Sequence, residues 1–341
     1  MYNFDDFDDF RILVIGVGSG GNRAVDAMFS DVEKVDFMAV NTDNLALEKN
    51  YAKTKIQIGE KTLKGFGTNG NMETGRKAAE ESLESIEKAT EDYQVVLIVA
   101  GMGGGTGGGA ASVIASAIKK KGILTIGVVT KPFLFEGTKR MQNAEDGIKK
   151  LKENVDTLIV IPNQRLINPE DKDIDINSLQ PFRLADKILK QCIIGSTYLI
   201  SHPGFIGVDF ADVRTLMSRE GGLASVGIGY YCGCWDEEKN RAKIAAEAAC
   251  KSPLLEIPIE EANAIIITAL GDGYLGLLEL NKAAEFISNL LAPDAEGIFG
   301  DSFCRNLMKL GLPVDEGVIV IIIAIKDANL NDYINEIRFT G

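Results

Sequence analysis

Hydrophobic and polar residues fall in blocks along this chain. Short apolar runs recur, and several lead into stretches where apolar residues return every three or four positions. The run at 11–15 (RILVI) predicts a buried strand, which passes through GVGSGGN into a helical pattern carried by Ala24, Val25 and Met28. VDFMAV at 35–40 predicts a second strand, ending in NTD. A loop rich in glycine and asparagine, GFGTNGNMETG, precedes a charged amphipathic helix from Arg76 to about Lys88. VVLIVA at 95–100, GILTIGVVTKP and TLIVIPN predict three more strands, with a helix over 139–154 between the last two. Strands alternating with helices predict an α/β fold with a parallel sheet and helices on both faces. The unbroken apolar runs agree, because strands covered on both sides have no polar face.

A long helical pattern runs from about Phe182 to Leu199. Beyond SHPGFIGVDFADV the texture changes. SVGIGYY, AIIITAL and VIVIIIAI read as strands, with helices near 241–251 and 277–291, which predicts a second, smaller α/β unit with a mixed sheet.

Composition narrows the possibilities. With 341 residues and 45% apolar content, one large domain or two ordinary ones can bury real cores. The formal net charge of −13 argues against a nucleic-acid partner. No apolar stretch reaches membrane-spanning length, so direct membrane insertion is not expected. The acidic, aromatic start MYNFDDFDDF lacks the features of a signal peptide and reads as a frayed terminus. The five cysteines include a close pair, Cys232 and Cys234, but no second pair, and the single histidine is His202. That disfavours a structural zinc site and a histidine-activated nucleophile, and it fits a reduced, cytoplasmic compartment. His202, just before Pro203, reads as a turn residue.

Candidate chemistry lies in the glycines. GMGGGTGGGAAS at 101–112 has seven glycines in twelve residues, between a strand and a helix. Such a turn lets backbone N–H groups approach an anion, and the helix N-terminus adds partial positive charge. A tight, close-packed turn is the simpler alternative. A phosphate cradle explains the glycine count better, with Thr106 offering a hydroxyl. GVGSGG at 16–21 also follows a strand and opens a helix, and Asp43 lies near the end of the next strand. Alone, these would suggest an NAD-dependent oxidoreductase. Two cradles on neighbouring strands suit one nucleotide gripped along a triphosphate. There is no G-x-x-x-x-G-K-[ST] motif of an ordinary P-loop enzyme.

The loop GMGGGTGGGAA resembles the signature loop of the tubulin superfamily, and in detail that of FtsZ, its bacterial cell-division branch. AVNTD, IQIGEK, GRKAAEES, GVVTKPFLFEG, VDTLIVIPN, DFADVRTLMS and SPLLE resemble FtsZ segments in FtsZ order. The likeness runs from about residue 10 to 330, dense up to Met217 and thin after Glu256. It implies an N-terminal extension (1–10), a GTP-binding domain (11–181), a central helix (182–200) and a C-terminal domain with a catalytic loop (201–341). GTP or GDP with Mg²⁺ is the implied cofactor. Gly18, Gly20, Gly21 and Asn22, with Gly103, Gly104, Gly105, Thr106, Gly107, Gly108 and Gly109, would hold the phosphates. Thr130 and Pro132 would shape the sugar side, Glu136 would reach the ribose, and Arg140 would lie near the nucleotide. Phe182 would cover guanine, and Asp186, four residues on and so on the same helix face, would accept from its N1–H and amino group. Without the resemblance these two read as a core aromatic and a solvated acid.

The resemblance assigns Asp209 and Asp212 to a neighbouring subunit's nucleotide, where they would polarise the attacking water. Their ordinary reading is a helix cap and a first-turn acid. No protein metal ligand is expected. The implied partner is a second copy, stacked head to tail into a filament, or another FtsZ. Several positions depart from the family. Gly108 stands where threonine is usual, Arg23 and Gly207 replace asparagines, Gln164 replaces an aspartate, and GFGTNGNM is altered. Gly108 and Gly207 favour slow hydrolysis, or a non-hydrolysing structural or regulatory filament. Arg23 is a candidate to supply the missing phosphate contact. The family's long linker and C-terminal adaptor peptide are missing from this sequence, either in nature or by truncation.

Overall fold

A computed structural model of the chain describes residues 10–167, 180–202, 204–219, 222–233, 240–273, 275–304, 306–310 and 316–327. Most of the expected N-terminal extension, Pro203, Cys234 and the chain's end lie outside the described residues. The fold comprises two compact units that part between Leu189 and Lys190.

In the first unit, β1 (Ile12–Val17) leads into α1 (Gly18–Met28), β2 (Asp36–Asn41), α2 (Asn44–Glu48), β3 (Thr54–Gln57) and α3 (Glu60–Leu63). Then come α4 (Met72–Glu81), α5 (Leu83–Thr90), β4 (Val95–Gly101), α6 (Gly105–Lys120), β5 (Leu124–Lys131), α7 (Thr138–Lys152), β6 (Thr157–Pro162) and the start of α8 (Gln180–Ser201). Every pairing in this part of the sheet is parallel, in the order β3-β2-β1-β4-β5-β6. β1, β5 and β6 are buried at every residue, as their apolar runs require. The order reverses between β1 and β4. Right-handed crossovers then carry α1 and α6 to opposite faces of the sheet.

Three local expectations change. β1 continues to Val17 because Gly16 lies under α1, where a Cβ would meet the Gly21 carbonyl oxygen at 2.5 Å. The helix expected over 76–88 starts earlier, at Met72, where Asn71 caps it by accepting from Thr74 N at 3.1 Å. It breaks at Ser82 (φ −113°, ψ 12°) into α4 and α5. β3 carries no apolar run; it is the sheet's edge strand, half in solvent.

The second unit contains the remainder of α8, α9 (Phe210–Met217), β7 (Gly222–Cys232), α10 (Arg241–Cys250), β8 (Ala264–Gly271), α11 (Leu277–Ser288), β9 (Glu296–Phe303) and β10 (Gly317–Asp327). Its strands run β7-β10-β8-β9; β10 is antiparallel to both neighbours, and β8 pairs with β9 in parallel. This is the expected mixed sheet. β9 is an unforeseen member, because EGIFGDSF offers no apolar run. Arg241 is fully buried and pairs with Asp272 and Glu279, both at 3.1 Å. His202 follows α8 directly, its Nδ1 2.8 Å from Ser201 Oγ and its ring against Tyr198.

Candidate functional site

β1 and β4 pair in register, with Val17 beside Ala100, so the two glycine stretches leave the sheet side by side. That edge, at the reversal of strand order, is where open α/β sheets bind ligands. The stretches touch. A Cβ on Gly18 would stand 3.0 Å from Gly107 N, and one on Gly20 would stand 3.1 Å from Gly101 Cα.

Both following helices begin without a side-chain cap. Asp43, Asn71, Asp209 and Asn240 cap α2, α4, α9 and α10, while α3, α5 and α7 also start without a side-chain cap. The N–H groups of Gly18, Ser19 and Gly20, and of Gly105, Thr106 and Gly107, make no bond to another protein group among the described residues. Two helix N-termini therefore present donors and partial positive charge at one place.

Packing accounts for many of the glycines. A Cβ on Gly105 would meet Asn71 N at 2.7 Å, one on Gly107 would meet Gly101 O at 2.7 Å, and Gly103 has a φ of 95°. Side chains at Gly21 and Gly109 would run into the carbonyl oxygens of Val99 and Met72. A Cβ on Gly108 would press on Met72 at 3.3–3.4 Å. Gly104 differs. Its φ is −86°, and nothing lies within 4 Å of a Cβ built there. Bare backbone facing open space at a helix N-terminus suits a ligand that must come close.

The side chains around this edge are more committed than the sequence suggests. Asn22 is buried; its amide donates to Gly16 O at 2.8 Å and its oxygen accepts from Asn41 at 2.7 Å. It pins the first turn of α1 to the strands. The Thr106 hydroxyl lies 2.8 Å from that of Thr42 and 3.4 Å from that of Thr68. Thr68 belongs to the altered loop, where Gly65, Gly67, Asn69 and Gly70 all have positive φ. Thr42 and Thr68 escaped the sequence reading because nothing in their spacing marks a hydroxyl cluster. Asp43 caps α2, accepting from Ala46 N at 3.1 Å, which gives it a structural task in place of the ribose contact an NAD enzyme would need.

Of the residues expected to border the sugar, Thr130 and Pro132 are buried at the end of β5. Glu136 accepts from Phe133 N at 2.9 Å and pairs with Arg140 at 3.1 Å. Gln164, one of the divergent residues, accepts from Leu134 N at 3.1 Å and so holds the same turn.

Among the residues expected to take the base, one reading changes. Asp186 is only 5% exposed, so it is not a solvated acid. Arg23 reaches it with two bonds, Nε to Oδ2 at 2.8 Å and Nη2 to Oδ1 at 3.2 Å. The same guanidinium stands over the Phe182 ring, 5.3 Å from its centroid. Phe133 packs edge-on against Phe182 at 5.3 Å. Arg23 is thus engaged by Asp186 and Phe182. Burial pushes the Asp186 carboxyl above the usual range, and Arg23 opposes that shift.

In the second unit, Asp209 caps α9, accepting from Ala211 N at 3.0 Å. Asp212 sits in the same first turn, and both acids are exposed. The preceding segment is fixed by a residue the sequence did not single out. Asp301, on β9 and 1% exposed, accepts from Phe205 N at 3.1 Å and Ile206 N at 2.6 Å, and its carbonyl accepts from Gly204 N at 2.9 Å. Gly207 follows, with open space where a Cβ would stand. Asp301 was hidden because it lies on a strand without an apolar run.

Two facing helix N-termini at a sheet reversal, an aromatic–carboxylate pair beside them and a separate acidic turn define a nucleotide-binding α/β protein. Residues 11–170 match the Tubulin/FtsZ family GTPase domain, and residues 222–326 match the FtsZ family C-terminal domain. The structure of an FtsZ dimer from M. jannaschii is similar at 38% identity and a TM-score of 0.83, over 93% of this chain and 88% of that one. A tryptophan variant of M. jannaschii FtsZ gives 37% identity and a TM-score of 0.84, over 93% and 91%. CetZ1 from Haloferax volcanii, a GDP-bound monomer, shares the fold at 22% identity and a TM-score of 0.76, over 97% and 100%. The chain belongs to the tubulin/FtsZ family. Among its described residues, no helix is long and apolar enough to cross a membrane.

Proposed function

We propose that this protein binds GTP, polymerises head to tail, and hydrolyses GTP where one subunit's acidic turn meets the next subunit's nucleotide. The observation that carries the reading is the pair of uncapped glycine-rich helix N-termini at the β1–β4 reversal. Their N–H groups would hold the phosphates, Gly104 would allow close approach, and Thr106 lies beside them. Thr130, Pro132, Glu136 and Arg140 would border the sugar. Phe182 and Asp186 would take the base; an ionised carboxylate accepts two N–H donors from guanine and finds no such pair on adenine.

Among the described residues no group of three His, Cys, Asp or Glu side chains is placed to hold a metal ion, and Mg²⁺ would take its ligands chiefly from phosphate oxygens and water. It would neutralise charge on the transferred group. Asp209 and Asp212, exposed and close to Gly207, are suited to orient a water on a neighbour's γ-phosphate. Head-to-tail contact is heterologous and does not close, so the product is a filament. Closer likeness to FtsZ than to CetZ favours a division-type role over another cytoskeletal one.

Sedimentation with GTP, GDP and ATP, with phosphate release followed in parallel, tests the reading. GTP-dependent pelleting and specific activity that rises with protein concentration are expected. Concentration-independent turnover would refute the shared site, and pelleting without phosphate release would favour the non-hydrolysing filament suggested by Gly108 and Gly207.

A further inference from the structure

We propose that Arg23 is an internal competitor for the base, a side chain that takes guanine's place on Asp186 and Phe182. The inference rests on the reading that Asp186 and Phe182 recognise guanine, and it adds a specificity-determining residue to that site.

Guanine and a guanidinium are chemically alike in what a carboxylate and a ring can recognise. Guanine recognition by a carboxylate uses two parallel N–H donors on the edge of a flat group whose face rests on an aromatic ring. A guanidinium offers the same features. Here Nε and Nη2 of Arg23 engage Oδ2 and Oδ1 of Asp186 at 2.8 and 3.2 Å, one donor to each oxygen. The cation also stands 5.3 Å from the Phe182 centroid. Arg23 therefore holds both recognition elements at once. A base that seeks the same fork-to-carboxylate geometry must displace it.

The pair is built to be displaced. The Asp186 side chain is 7% exposed and fixed on α8, whereas the Arg23 side chain is 50% exposed on α1 and free to swing into water. Arg23 should therefore weaken guanine nucleotides, which need Asp186, and leave nucleotides that do not use Asp186 nearly untouched. It should also make affinity salt-sensitive in an unusual direction, since salt screens the competing ion pair.

The test is calorimetric titration of GDP and ATP, below the assembly concentration, into wild type, Arg23→Asn, Arg23→Lys, Asp186→Asn and Arg23→Asn/Asp186→Asn. Arg23→Lys keeps a cation beside the buried carboxylate and guards against loss of fold, which thermal melting checks. Arg23→Asn should tighten GDP about tenfold, or 1.4 kcal/mol. Arg23→Lys should tighten it less, because it keeps the charge but not the fork. In the Asp186→Asn background, Arg23→Asn should leave GDP affinity unchanged, and raising salt should narrow the gap between wild type and Arg23→Asn. Weaker or unaltered GDP binding in folded Arg23→Asn overturns the proposal, as does an equal shift in both backgrounds. If Asp186→Asn binds GDP as wild type does, or no variant binds it, the base assignment itself fails, and the competitor with it.

Discussion

Asp301→Asn tests whether a buried strand residue governs the acidic turn. The carboxylate is 1% exposed, and its two oxygens each accept one backbone N–H, from Phe205 at 3.1 Å and Ile206 at 2.6 Å. The amide keeps the size but has one acceptor. Its NH₂ would face a backbone N–H, donor against donor. The loss is one charge-assisted hydrogen bond in a dry site, about 1.5–3 kcal/mol. For a unit of this size that lowers the melting temperature by roughly 3–12 °C. The segment 204–206 leads through Gly207 to Asp209 and Asp212, so its release should misplace both acids. An ångström of misplacement in a positioned reaction reduces turnover by about 100-fold. Melting curves, GDP titration and phosphate release at equal filament mass give the three readouts. GDP affinity should stay at wild type, because the residues proposed to hold phosphate and base belong to the other unit. Wild-type melting and turnover would refute the assignment, and a matching loss of GDP affinity would mean general damage.

Four further outcomes are expected. Asp212→Asn should bind GTP normally and release phosphate at a small fraction of the wild-type rate, read as turnover at saturating GTP. Gly207→Asn meets open space, so it should fold normally and raise turnover within the filament, assayed by phosphate release at equal pelleted mass. Gly108→Thr must push Met72 aside by a few tenths of an ångström, which a flexible thioether can do; the added hydroxyl should tighten GDP, measured by calorimetry. Guanine affinity should fall on acidification before an ordinary carboxylate would titrate, because burial raises the Asp186 carboxyl. The sign for stability is opposite: a raised acid contributes most below its unfolded value, and that contribution is lost as pH rises through its folded value. GDP titration and melting across the mildly acidic range, with Asp186→Asn as the pH-flat control, check both.

The parallel sheet was legible because buried strands such as VVLIVA and TLIVIP announce themselves as apolar runs. β3 and β9 did not, since an edge strand and a strand that carries a buried aspartate need no such run. The glycine cradles were legible as composition, but the reason for each glycine was not. Gly105, Gly107 and Gly109 are small because backbone passes against them, a long-range fact invisible in spacing, and only Gly104 stands open. Asp186 and Arg23 lie 163 positions apart, so their union could not be read from either neighbourhood. Asp209 was fully legible as a cap, because capping is local.

The register that sets Val17 beside Ala100 has a consequence for how the molecule assembles. The two cradles belong to segments separated by β2, β3 and five helices, so the proposed phosphate site is complete only once the chain has closed that long loop. Local contacts form early and distant parallel pairings late. Nucleotide bound there would therefore act as a clasp on a seam between distant segments of the chain. At saturating GTP it would hold that seam shut by mass action, and a chain starved of GTP would open first between β1 and β4.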